Sequence, residues 1–119
     1  MVEGLRDDEA DERAREIGRR QSVFREVNER IEELAEDFEM LEAVPILCEC
    51  GWTECKERIE LTQAEYERLR LVPTHFAVVR GHEIPEVERV VEETDGYVVV
   101  EKFGDSAEVA IAHDPRNPS

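Results

Sequence analysis

The chain reads as an α+β protein, with a long amphipathic N-terminal helix followed by a small antiparallel β domain carrying one or two short helices. Three observations predict this. Apolar residues recur at steps of three and four from Phe24 to Leu41, which is a helical period. Short β-branched runs separated by turn residues fill the second half, as antiparallel strands require. All three cysteines fall inside Cys48-Glu49-Cys50-Gly51-Trp52-Thr53-Glu54-Cys55, a spacing that suits metal ligands better than a disulfide framework. The implied division is a helical arm over residues 1–42 and a zinc-stabilised α+β domain over 43–119.

The helix is expected from about Asp8 to about Leu41, after a frayed, charged start. Its apolar positions are Ile17, Phe24, Val27, Ile31, Leu34, Phe38 and Leu41, and from Phe24 onward they form the heptad seam of a coiled coil. Arg20 breaks the seam toward the N-terminus. Two readings compete: an amphipathic helix packed on its own domain, or a coiled coil with a second copy or a partner protein. Arg13, Arg15, Arg19, Arg20 and Arg25 make the first half locally basic, but Asp11, Glu12, Glu16 and Glu26 interleave with them. Glu9 with Arg13, Glu16 with Arg20 and Glu26 with Arg30 stand four apart and can pair along the helix, so a solvated face is expected.

Residues 43–61 predict a β-hairpin with the cysteines at its tip, Pro45 lying near the start of the first strand. Thr62-Gln63-Ala64-Glu65 is a capping box opening a helix to about Leu71, with Tyr66 and Leu69 on its buried face and Pro73 beyond its end. Phe76–Val79 predicts a buried strand, and Gly81-His82 a turn. Asp95-Gly96 between Val87–Glu92 and Tyr97–Glu101 is a hairpin signal, although the first of these runs, just after Pro85, could begin as a helical turn. A last helix is expected from near Asp105-Ser106 through Ala112, and the tail from Asp114 is loop.

At 119 residues with 40% hydrophobic content the chain is long enough for one domain with a modest core, for which a structural metal is a useful staple. Its 31 acidic and 15 basic residues give a formal net charge of −16, a field that repels phosphate. Nucleic acid and anionic membrane surfaces are therefore disfavoured as partners. No apolar run approaches the ~20 residues that span a bilayer, and the polar, acidic start shows no signal peptide, so a cytoplasmic location is expected.

The chemistry lies in the cysteine cluster. Cys48 and Cys50, two apart on a strand, present both thiols to one face. The four residues before Cys55 let the chain turn and return the third thiol. Zinc in structural sites takes four such ligands in a tetrahedron. The fourth is expected from His82, which follows a glycine in a turn that can pack beside the hairpin. His75, at the other end of the same strand, and His113, near the C-terminus, are the other histidines, and a carboxylate or water is the remaining option. Trp52 is expected to shield the metal or to contact a partner.

Ile46–Cys50 through Cys55, Leu61–Glu67, Pro73–Phe76 and Gly81-His82-Glu83 resemble a group of small actinobacterial-type proteins, as do Phe24–Ile31 and Gly96–Lys102. The resemblance covers most of the chain from Phe24 to about Ala112. It implies that Cys48, Cys50, Cys55 and His82 act as one site, and implies nothing about substrate or partner.

No catalytic constellation stands out. The zinc-deaminase signatures H-x-E and P-C-x-x-C are absent, and three thiolates make an electron-rich, poorly Lewis-acidic site. The expected function is a non-enzymatic zinc-binding module for protein interaction or regulation. The alternatives are a zinc-linked thiol redox sensor, in which cysteine oxidation ejects the metal, and a zinc hydrolase with Glu49 or Glu83 as base if His82 does not bind.

Overall fold

The structure is a computed structural model that describes residues 2–37, 43–52 and 54–116, with the side chains of the first helix described over 9–35. Phe38 and Leu41 of the predicted seam, Thr53, and the end of the tail lie outside the described residues. The order of elements is α1 (Val2–Asp37), β1 (Val44–Leu47), β2 (Arg58–Leu61), α2 (Gln63–Arg70), β3 (His75–Val78), β4 (Glu88–Glu93), β5 (Val98–Lys102) and α3 (Gly104–Ala112). This is the α+β arrangement the sequence predicts. Among the described residues no helix is long and apolar enough to cross a membrane.

Two antiparallel sheets carry the domain. β1 and β2 form the expected hairpin, with Ile46 opposite Ile59 and Val44 opposite Leu61. All four of these side chains point into the core, as a period of two demands. The second sheet has the order β3-β5-β4, with β5 in the centre. Phe76 pairs with Val100 and Val78 with Val98, so the apolar first half of β5 lies against β3. The run after Pro85 is a turn only as far as Val87, and β4 then pairs with β5 through a register shift between Val90 and Glu92.

α2 begins at the predicted capping box. The Glu65 amide donates to Thr62 Oγ1 at 3.0 Å, and the Thr62 amide donates to Glu65 Oε1 at 2.9 Å. Tyr66 and Leu69 of α2 are buried as expected. α3 starts at Gly104, slightly earlier than expected, and its N-cap Phe103 provides no side-chain hydrogen bond. Ser106 instead donates to the carbonyls of Val87 and Phe103, tying α3 to the strand connection.

The long helix differs most from expectation. α1 begins at Val2, well before Asp8, because the acidic residues at its start favour a helix N-terminus. It packs against α3 and β1, and of the heptad seam Ile31 lies against the core, but most of its buried face is off the seam. Its buried positions are Ile17, Gln21, Arg25, Asn28, Glu32 and Ala35, with Ser22 and Glu29 beside them. Of the seam, Phe24 and Ile31 are half-buried, while Val27 and Leu34 are 40% and 54% exposed. The helix therefore docks by its polar face.

The reason is a set of buried ion pairs. Arg25 is 2% exposed, and its Nε and Nη2 donate to Glu49 at 2.8 and 2.9 Å. Its guanidinium also lies 3.9 Å above the Phe76 ring. Burial works against the charge on Arg25, but the Glu49 carboxylate outweighs it and holds the pKa above its ordinary value. Asn28 donates to the Leu47 carbonyl at 2.9 Å and accepts from the Leu47 amide at 2.8 Å, which extends the edge of β1. Gln21 donates to Glu88, whose carboxylate also accepts from buried Lys102 at 2.5 Å and from the Ile84 amide at 2.8 Å. Arg25 was expected on a solvated face, and that expectation is corrected here. Two of the pairs expected along the helix are also replaced: Arg13 meets Glu86 on another segment at 3.0 Å instead of Glu9, and Glu16 pairs with Arg19, which also takes Glu12, instead of Arg20.

Candidate metal centre

The cysteine segment leaves the β1–β2 hairpin in a tight turn. The Cys48 amide donates to the Glu57 carbonyl at 3.0 Å, extending the hairpin ladder by one pair. The Cys55 amide donates to the Trp52 carbonyl at 3.0 Å and closes the turn. Gly51 adopts φ 82, a conformation that a residue with a Cβ rarely takes. A Cβ there would also stand 2.7 Å from Gln21 Cγ, so the turn lies directly on α1.

His82 arrives from the other sheet. Its amide donates to the Val79 carbonyl at 2.8 Å in the turn that follows β3. The ring then stands over the cysteine turn, with Nδ1 3.6 Å from Cys48 Sγ and 3.5 Å from Cys55 Sγ. The ligand atoms of Cys48, Cys50, Cys55 and His82 all lie within 4.8 Å of one another. In a tetrahedron with zinc–sulfur and zinc–nitrogen bonds of ~2.3 and ~2.0 Å, sulfur and nitrogen stand ~3.5 Å apart. The two measured separations match that edge, so the group suits a metal ion.

Backbone amides surround the sulfurs. The Val79 amide donates to Cys48 Sγ at 3.2 Å. Further backbone hydrogen bonds reach Cys48 from Cys50, Cys50 from Trp52 and Cys55 from Glu57. These donors stabilise thiolate charge. The three thiols share their protons unequally. The hydrogen bond from Cys48 draws the Cys50 pKa down to about 5, and the same contact pushes Cys48 up. Burial raises Cys55.

β1 ends at Leu47, so Cys48 and Cys50 do not stand two apart on a strand as expected; Glu49 and Cys50 lie in the turn that follows, and Glu49 sits between the two buried cysteines. It is completely buried and fully satisfied: Oε1 accepts from Arg25 and from the Ala77 amide at 3.0 Å, and Oε2 accepts from Arg25 and from Asn28 at 3.0 Å. Its own amide donates to the Ala77 carbonyl at 2.9 Å. Glu49 therefore joins the hairpin, β3 and α1 at one point. A possible base by its place in the sequence, Glu49 is instead a structural anchor. The signals along the chain are an acid between two cysteines and an arginine and an asparagine three residues apart on a helix.

The other histidines stand elsewhere. His75 Nε2 lies 3.3 Å from Glu101 Oε2 at the far end of β3, and His113 caps the C-terminus of α3. Trp52 is 51% exposed and lines a surface cleft with Glu54, Cys55, Gly81, His82 and Glu83. A second group of charges ties α1 to α2 and the C-terminal segment. Glu29 accepts from Tyr66 at 2.6 Å and from Arg116 at 2.6 Å, and also meets Arg70, which pairs with Asp114.

No known protein family, curated protein or solved structure matches the chain.

Proposed function

We propose that the chain is a small cytoplasmic zinc-binding module for protein interaction or regulation, in which the metal is structural. The observation that supports this reading most is the convergence of Cys48, Cys50, Cys55 and His82 Nδ1 from two separate sheets at tetrahedral spacing. Four protein donors fill a tetrahedral ion and leave no position for an activated water, which favours a structural ion over a hydrolytic one. Zinc is favoured over other ions by the sulfur-rich donor set and the tetrahedral spacing. The interaction surface in this reading is the outward stripe of α1, where Val23, Val27 and Leu34 are exposed on one side of the helix. Its steps of four and seven residues keep the three side chains on one side of the helix, which suits pairing with a second copy of the chain.

Elemental analysis of protein purified without added metal is the test, and one zinc per chain is the expected result. Free thiols with a zinc ratio near zero would remove the reading. His82→Ala is expected to lower metal affinity and stability far more than His75→Ala or His113→Ala, and equal behaviour of the three variants would take His82 out of the ligand set.

A further inference from the structure

The three sulfurs of the centre differ in how a reagent reaches them. Cys48 and Cys50 are 2% and 1% exposed, beneath the turn and against α1. Cys55 is only half-buried, and together with His82 it forms the floor of a surface cleft of ≈ 430 Å³. One wall of the cleft is the exposed Trp52. The rim carries two carboxylates, Glu54 and Glu83, and among the described residues no cationic side chain other than His82 lines it. Glu83 is held in place by the Gly81 amide, which donates to its Oε1 at 2.9 Å.

We propose that Cys55 is the reactive thiolate of the metal centre, and that the acidic rim of its cleft admits uncharged electrophiles and oxidants while opposing anionic ones. The proposal rests on the metal reading above. A metal-bound thiolate stays deprotonated and keeps its nucleophilicity, so access decides which of the three sulfurs reacts. Hydrogen peroxide is the oxidant class that fits, being small and neutral. In the first step the Cys55 sulfur attacks one peroxide oxygen. The S–O bond forms, the O–O bond breaks, and the departing hydroxide takes a proton to become water, leaving a sulfenic acid. In the second step Cys48 or Cys50, each within 4.8 Å in the cluster, attacks the oxidised sulfur. The S–S bond forms, the S–O bond breaks, and the departing hydroxide takes a proton to leave as a second water. Two thiolates have then given two electrons to one peroxide, and a bound ion would be left with two of its four protein ligands.

The experiment uses the full, zinc-loaded chain with its metal content measured first. It is treated with limiting iodoacetamide, iodoacetate or hydrogen peroxide, and the modified cysteine is located by peptide mass mapping. Iodoacetamide is expected to label Cys55 at least about tenfold faster than Cys48 or Cys50, because those two are shielded. Peroxide is expected to release zinc with Cys55 present in every disulfide formed. The preference for neutral iodoacetamide over anionic iodoacetate should be larger at Cys55 than at a free thiol, and should fall in a Glu54→Gln/Glu83→Gln variant, which keeps every metal ligand. Prior labelling of Cys48 or Cys50, or equal rates at all three, would overturn the role of Cys55. An unchanged iodoacetamide preference in the double variant would overturn the role of the rim. A chain that purifies without metal removes the metal reading and this proposal together, whereas a zinc-loaded chain that reacts in another order removes this proposal alone.

Discussion

The inward face of α1 is held by Arg25, Asn28 and Glu29, while its outward face carries Val23, Val27 and Leu34. In an ordinary amphipathic helix the two sets would be exchanged. The difference shows what each kind of contact contributes. Apolar burial is non-directional, so it favours compactness without fixing a helix at one rotation or one height. The Arg25–Glu49 fork and the two Asn28–Leu47 bonds each accept one geometry. They set α1 against β1 to within a residue and hold Gly51 on top of Gln21. Because Glu49 lies between Cys48 and Cys50, the register of the helix and the shape of the Cys3His cluster are fixed by the same side chain.

Breaking the inward face should have the largest effect. Arg25→Ala leaves the Glu49 carboxylate buried without its cation, which costs about 3–5 kcal/mol. Urea unfolding of metal-loaded protein measures it, and a cost below about 1 kcal/mol would show that the pair is not what holds the helix. An Arg25→Leu/Glu49→Leu double variant is expected to lose less than Arg25→Ala alone, since no charge is then left uncompensated.

A milder disturbance comes from acid. Burial opposes the charge on Glu29, but hydrogen bonds from Arg116 and Tyr66 outweigh it and hold its pKa below the ordinary glutamate value; Asp114 is lowered likewise, by Arg116 and Arg70 against burial. A depressed folded pKa gives stability that is present above the unfolded value of about 4.3 and is lost as the pH falls through the folded value. The gap in urea midpoint between the native chain and Glu29→Gln should therefore be open at neutral pH and close on acidification below about pH 4. A gap that stays constant over that range would mean that the Glu29 charge is not what ties Arg70 and Arg116 to the helix.

The outward face sharpens the comparison with the smallest effect on the monomer. Leu34→Asp is expected to change the stability of the isolated chain by no more than about 0.5 kcal/mol, because the side chain already meets water. Its effect should fall on self-association. Light scattering at micromolar concentration is expected to report a dimer for the native chain and a monomer for the variant. A native chain that is monomeric throughout would leave the stripe without the partner proposed for it.

Much of the fold and nearly all of the candidate site were legible along the chain. The capping box at Thr62, the hairpin around Asp95-Gly96 and the β1–β2 pairing are local patterns, in which a few neighbouring residues settle the conformation. The cysteine turn is also local, since spacing alone brings Cys48, Cys50 and Cys55 together. His82 was within reach of reasoning because one strand and one turn carry it to the cluster. The orientation of α1 was not legible. A 3-4 repeat marks the apolar stripe of a helix, but it cannot say whether the stripe faces the domain or solvent. That choice was made by Glu49, Leu47 and Phe76, which meet Arg25 and Asn28 only after the hairpin and β3 have come together. Sequence by itself determined the elements and the donor set, because those depend on near neighbours. Tertiary structure alone decided which helix face is buried, because a buried arginine is tolerable only where a distant carboxylate is already waiting for it.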